Sequence, residues 1–200
     1  NHLFDENIKP ESLAVDVFSE VEKDTNNSHS KIPLPKDIFK NIRQNSSSIM
    51  LTEQNEVDLL FQSQEPWLKK KWQAKSMISG ITLEDSSQEE VKNPSDTSDI
   101  VGSLLYANQS QLDRCLITAQ NAFNLNSHDP DRILESLNRA AELYEENQFE
   151  LMALAMREAG KTYQDAIDEV REAVDFLRYY SNLAHNIIPH KRQAMGVFVC

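Results

Sequence analysis

Apolar residues recur at three- and four-residue spacing through four stretches in the second half of the chain. Gln109 to Phe123 places Leu112, Cys115, Leu116, Ala119, Ala122 and Phe123 on one face of a helix. A second helix is predicted from Asp129-Pro130, where the aspartate can cap and the proline gives up no hydrogen bond, with Ile133, Leu134, Leu137, Ala140 and Ala141 as its stripe. Phe149 to Met156 predicts a third, and Gly160 is its natural stop. The fourth, Tyr163 to about Ala184, lines up Tyr163, Ala166, Ile167, Val170, Ala173, Val174, Leu177 and Ala184; Asp165, Asp168, Glu169, Glu172 and Asp175 fall elsewhere on its circumference. Ahead of these helices the period changes. Val91 to Asp96 and Asp99 to Tyr106 read as two strands around a polar turn, a hairpin, and Gln193 to Cys200 reads as a further apolar strand.

The first ninety residues are patterned differently. Polar runs at Asn26–Ser30 and Gln44–Ser48 separate short amphipathic pieces, and Pro33 and Pro35 around Leu34 favour an extended connector without ladder donors. Gln54 to Phe61 is the best helix of this half; it should end before Pro66 and is too short to hold unless it docks on something. This region is expected to be less protected than the later helices.

Charge narrows the partners. Twenty basic against 32 acidic side chains leave a net charge of −12, which repels nucleic-acid phosphates over most of the surface. The local exception, Trp67-Leu68-Lys69-Lys70-Lys71-Trp72, falls far short of a basic footprint and reads as a helix end among acidic neighbours. There is no transmembrane run and no signal pattern at Asn1–Asp5, so a cytoplasmic setting is expected. Cys115 and Cys200 form neither a disulfide framework nor a metal knuckle.

Chemistry is sparse. Gly160-Lys161-Thr162 looks like the end of a phosphate-binding loop, but Ala155 stands where that loop needs its first glycine, so the stretch reads as a joint between helices. No Gly-x-Gly-x-x-Gly and no activated Ser, Cys or Thr is found, and His185 and His190 are off ligand spacing, so no catalytic, cofactor-binding or metal site is expected in this chain. Phe176 and Tyr179 lie beside Glu172, away from the fourth helix's stripe. Either another part of a larger protein covers them or they border a site. A free-standing acidic helical interaction module, docking through this face, therefore stays open.

The stretch from Arg157 to Thr162, its continuation Asp165 to Tyr180 and Gly196-Val197-Phe198-Val199-Cys200 resemble the start of an aldehyde dehydrogenase. The resemblance is closest to the pyrroline-5-carboxylate dehydrogenase module of the bifunctional proline utilization A family; Val91–Asp96 and Asp99–Gly102 resemble its opening hairpin. Lys31–Pro35 and Trp72–Ala74 resemble the connector between its two enzymes, and Asn1–Glu6 the segment leaving its proline dehydrogenase barrel. The resemblance implies an α/β fold: the N-terminal part of an aldehyde dehydrogenase-like domain, with a hairpin, several helices and the start of a Rossmann-like sheet, after a mostly irregular linker with short helices. It implies residues 1–30 as the tail of an upstream proline dehydrogenase domain, 31–90 as linker and 91–200 as a truncated NAD-binding domain. The parent enzyme would oxidise proline with FAD and then glutamate semialdehyde to glutamate with NAD. In that family the barrel lies before Asn1, and the nicotinamide-binding loops and nucleophilic cysteine come after Cys200. The fragment alone is expected to be inactive, to bind neither cofactor tightly, and to work with the remaining parts of the same enzyme. Glu172 matches a helix glutamate near the aldehyde pocket, a substrate-binding role toward the ammonium group of the semialdehyde.

Overall fold

The structure is a computed structural model that describes residues 8–9, 14, 16–23, 31–39, 42–77, 87–125, 129–187 and 195–198. In chain order the elements are α1 (Val17–Lys23), α2 (Gln54–Gln64), β1 (Trp72–Lys75), β2 (Gln88–Asn93), β3 (Asp96–Leu105), α3 (Gln109–Leu125), α4 (Pro130–Glu146), α5 (Gln148–Ala159) and α6 (Tyr163–Ile187). Short 3-10 turns at Pro35–Asp37 and Glu65–Trp67 flank α2 in the chain.

The hairpin forms, with β2 starting three residues earlier than expected, at Gln88, and β3 starting at Asp96 rather than Asp99, so the turn is tighter than the sequence suggests. β2 pairs antiparallel with β3 through Pro94-Ser95, from Gln88 opposite Leu105 to Asn93 opposite Asp96, with register shifts on either side of Lys92. Sequence patterning missed β1, which adds to the other side of β3 in parallel, Trp72 opposite Gly102 and Lys75 opposite Leu105. The basic stretch expected to end a helix thus runs through a turn into an edge strand.

α2 does what its length requires. Leu60 and Gln64 are fully buried, Leu60 in a cluster with Met152, Ala166 and Ile167, edged by Ile49, Phe149, Met156, Tyr163 and Val170. Removing a leucine side chain from water contributes about 2 kcal/mol, enough to hold a helix that would not persist alone. Asp129 caps α4 by accepting from the Asp131 N–H at 3.1 Å. α4 then lies along α6, where buried Ala141 and Val174 mark the seam and the Ser181 hydroxyl donates to the Leu134 carbonyl. Gly160 closes α5 in the left-handed region at φ 68° and donates to the Met156 carbonyl at 3.0 Å.

Two expectations are corrected. The α3 stripe is only partly covered: Leu112 and Leu116 are 47% and 42% exposed, and the one buried residue of the helix is Gln111. Residues 195–198 carry no strand, since a strand exists only through a ladder partner and none pairs with them among the described residues; residues 193, 194, 199 and 200 lie outside those described. His190 and the side chain of His185 also lie outside them.

Candidate functional site

The Gly160-Lys161-Thr162 joint consumes its own donors. The Thr162 N–H and hydroxyl both reach Asp165 Oδ2, at 3.2 and 2.7 Å, while the Asp165 N–H donates back to the Thr162 hydroxyl, a reciprocal cap on α6. These bonds hold the Asp165 carboxyl below its usual range. The Lys161 ammonium sits 2.6 Å from Glu169, which raises its pKa. With the Asp165 and Glu169 carboxylates drawn to the Thr162 amide and hydroxyl and to the Lys161 ammonium, two negative charges stand where a phosphate would have to be received, and the joint does not fit the phosphates of a dinucleotide or a flavin.

The basic aromatic stretch is likewise closed on itself. Lys70 lies 4.5 Å from the Trp67 ring centroid and 2.6 Å from Glu150 Oε1, which also accepts from the Trp72 indole at 2.8 Å. Lys70 first and the Trp72 indole second hold the Glu150 carboxyl down. The cluster ties the 3-10 turn and β1 to α5.

Beside it lies a buried arginine that pattern reading passed over. Arg157 donates from Nε and Nη2 to both oxygens of Asp99, at 3.0 and 2.7 Å, and from Nη1 to the Lys70 carbonyl at 2.5 Å. Its guanidinium also stands 5.3 Å from the Trp72 ring centroid. The signal was present in the helix period: Arg157 falls four residues after buried Ala153, on the face of α5 that enters the core.

The outer face of α6 is the candidate site. Glu172 is exposed and makes no hydrogen bond or ion pair among the described residues; of the two arginines nearest in sequence, Arg171 pairs with Asp168 at 3.5 Å and Arg178 with Glu145 at 2.6 Å. One turn on, Phe176 and Tyr180 stack with centroids 6.1 Å apart, and Tyr179 meets Tyr180 edge-on at 5.3 Å. These rings stay about half exposed, at 51%, 46% and 54% for Phe176, Tyr179 and Tyr180. Leu137 and Tyr144 of α4 with Ala173, Phe176, Leu177 and Tyr180 of α6 enclose an apolar groove of about 290 Å³. Glu172 directly precedes Ala173 of this lining, and an exposed carboxylate next to aromatic rings can receive a cation. Cys115 is a partly buried free thiol on α3, away from α6 in sequence and from this groove's lining.

Among the described residues no helix is long and apolar enough to cross a membrane. The bifunctional protein PutA of Klebsiella aerogenes is 34% identical over 208 residues, a match covering all of this chain and 16% of that protein. The 1-pyrroline-5-carboxylate dehydrogenase of Geobacillus kaustophilus is 34% identical over 89 residues, 44% of this chain and 17% of that one. In structure, a point mutant of the 1-pyrroline-5-carboxylate dehydrogenase of Thermus thermophilus superposes with a TM-score of 0.68 at 20% identity, covering 84% of this chain and 31% of that one. The chain thus spans about a sixth of the length of the curated relatives it matches. The family model described as aldehyde dehydrogenase family matches residues 81–197, the hairpin and all four long helices included. With more than half of its length matched in this way and its fold agreeing, the chain belongs to the aldehyde dehydrogenase family.

Proposed function

We propose that this chain is the stretch joining two catalytic units of a bifunctional, cytoplasmic enzyme that oxidises proline to glutamate. One observation carries this reading: the match to the bifunctional relative extends over the whole chain, including the residues ahead of the segment matched by the family model, whereas the match to the single dehydrogenase covers under half. Residues 1–30 would leave a proline dehydrogenase unit that uses FAD, 31–90 would connect, and 91–200 would open an NAD-dependent glutamate semialdehyde dehydrogenase domain. Nucleic acid has no part in this segment's role.

The 200-residue chain alone is expected to turn over neither proline with FAD nor an aldehyde with NAD, because it supplies no nucleophile and its one loop of the right composition faces the Asp165 and Glu169 carboxylates, which repel a cofactor phosphate. NADH formation that persists through repurification would overturn this.

Within the complete enzyme, Glu172 receives the ammonium group of the semialdehyde, and Phe176 limits water beside it. Glu172→Ala is then expected to lower kcat/KM for the semialdehyde by roughly tenfold or more, the scale of a lost bond to a charged group. A simple aldehyde without the amine should lose much less. Equal losses for both substrates would assign Glu172 to structure, and no loss for either would return it to the solvent face. The exposure of Phe176, Tyr179 and Tyr180 also favours a second reading, an acidic helical interaction module that docks through those rings.

A further inference from the structure

The turn of α6 that carries Glu172 is gripped from one side by a segment far away in sequence. Asp175 Oδ1 accepts from the Ser46 N–H at 2.9 Å and from Arg43 Nη1 at 3.3 Å, and Asp175 Oδ2 accepts from the Ser46 hydroxyl at 2.9 Å. The next residue reaches α4: the Ser47 N–H donates to Glu145 Oε1 at 3.2 Å, and Glu145 is itself held by both terminal nitrogens of Arg178 on α6. The segment is fixed at each end. Asn45 bonds back to the Pro35 and Lys36 carbonyls at 2.9 and 3.1 Å, and Ile49 packs on the core cluster around Leu60. Ser46 is buried and Arg43 nearly so, with the Arg43 guanidinium 3.9 Å over the Phe39 ring.

At about 100° per residue, Val174 and Ser181 mark the seam of α6 against α4, Asp175 and Arg178 fall on one side of it, and Ala173, Leu177 and Tyr180 fall on the other. Glu172 projects outward, about 60° round the helix from Asp175. The apolar groove bounds one side, and the Arg43–Ser47 segment the other. Bonded to Asp175 on that side, the segment is placed to resist a roll of α6 about its own axis, together with the packing of α4 and α5 on that helix. A roll of about 10° would carry a carboxylate some 6 Å from that axis by about 1 Å, and a misplacement of about 1 Å can cost on the order of 100-fold in a positioned reaction.

We propose that Arg43–Ser47 is a strap latched on α6, and that Asp175 is a positioning residue that sets where the Glu172 carboxylate stands. The proposal rests on the reading of Glu172 as the carboxylate that meets the substrate's ammonium group. The connector then does more than join the two units, since it also holds the substrate helix in register.

Two measurements test this. In the 200-residue chain, Asp175→Ala should raise amide exchange at residues 43–48 and 172–178 together by about tenfold or more, and Ser46→Ala should do the same more weakly, with the helix content retained. Asp175→Asn, which keeps one acceptor, should recover part of the protection. In the complete enzyme, Asp175→Ala should raise KM for glutamate semialdehyde about tenfold while a simple aldehyde changes less than about twofold, and adding it to Glu172→Ala should cost little more. Wild-type exchange at residues 43–48 in Asp175→Ala would overturn the latch. Additive losses in the double variant, or equal losses for both aldehydes, would overturn the positioning role. If Glu172→Ala alone spares both substrates, the reading of Glu172 fails and the positioning role fails with it. If Glu172→Ala is selective and Asp175→Ala is silent, only the present proposal fails.

Discussion

Replacing Arg157 by methionine is expected to lower the unfolding free energy by about 3 kcal/mol, the lower end for breaking a buried ion pair. Methionine keeps much of the packed stem but supplies none of the donors. The Lys70 carbonyl loses its 2.5 Å bond and Asp99 loses a bidentate partner, although Asp99 stays about a third exposed and regains some water. At a urea slope of about 2 kcal/mol per molar, the midpoint should fall by roughly 1.5 M. Lys70→Met, at a position 39% exposed, should cost less than about 1 kcal/mol and serves as the comparison. The pair also shapes the acid limb. Arg157, and after it the Asn93 amide, hold the Asp99 carboxyl below its ordinary range. Its contribution is therefore present above the unfolded value of about 3.9 and is lost as pH falls through the lower folded one. Arg157→Met should make stability fall less steeply in that window. A midpoint within about 0.3 M of wild type would show that the network adds nothing net.

Gly102→Ala is expected to cost about 2–3 kcal/mol, the range of a forced overpacking, for a reason local to one atom. A Cβ at this position would lie 2.1 Å from the Trp72 carbonyl oxygen and 2.9 Å from its carbon, and these are backbone atoms that no rotamer change can move aside. β1 must separate from β3, and among the described residues this four-residue edge strand has no second neighbour to hold it. Trp72 would leave Glu150 and Arg157 with it, so the variant should show red-shifted tryptophan emission below its unfolding transition. Native emission and an unchanged midpoint would mean that the sheet tolerates the methyl group.

The long helices were legible because each carries an apolar stripe of its own, and the hairpin because its two strands are neighbours in sequence. β1 was not legible. Its four residues follow a run of three lysines, and what makes them a strand is a parallel partner thirty residues away, which no local pattern reports. Arg157 and Asp175 escaped for a related reason: a charged residue on a buried face looks solvated until its partners, Asp99 or Ser46 and Arg43, are brought to it by the fold. The α3 stripe shows the converse. Its period is helical as read, yet Leu112 and Leu116 stay open, since periodicity says which face is apolar and not what lies against it. For the candidate site, spacing alone placed Phe176 and Tyr179 beside Glu172 and outside the stripe, and the structure finds all three exposed; the role of Glu172 came only through resemblance.

The two modes of pairing on β3 also order events in time. β2 meets β3 across a two-residue turn, so that contact closes a short loop, whereas Trp72 and Gly102 must close one of thirty residues before any bond rewards it. Hairpins of the first kind form in about 1–10 μs, and β1 can join only once the edge it needs exists. Since its seat also needs Arg157 on α5 in place, its arrival is expected to be a late step on the way to the native state. Changes at Gly102 and Arg157 are therefore expected to quicken unfolding while leaving the refolding rate nearly as it was, so the edge strand acts as a bolt that sets the lifetime of the folded chain.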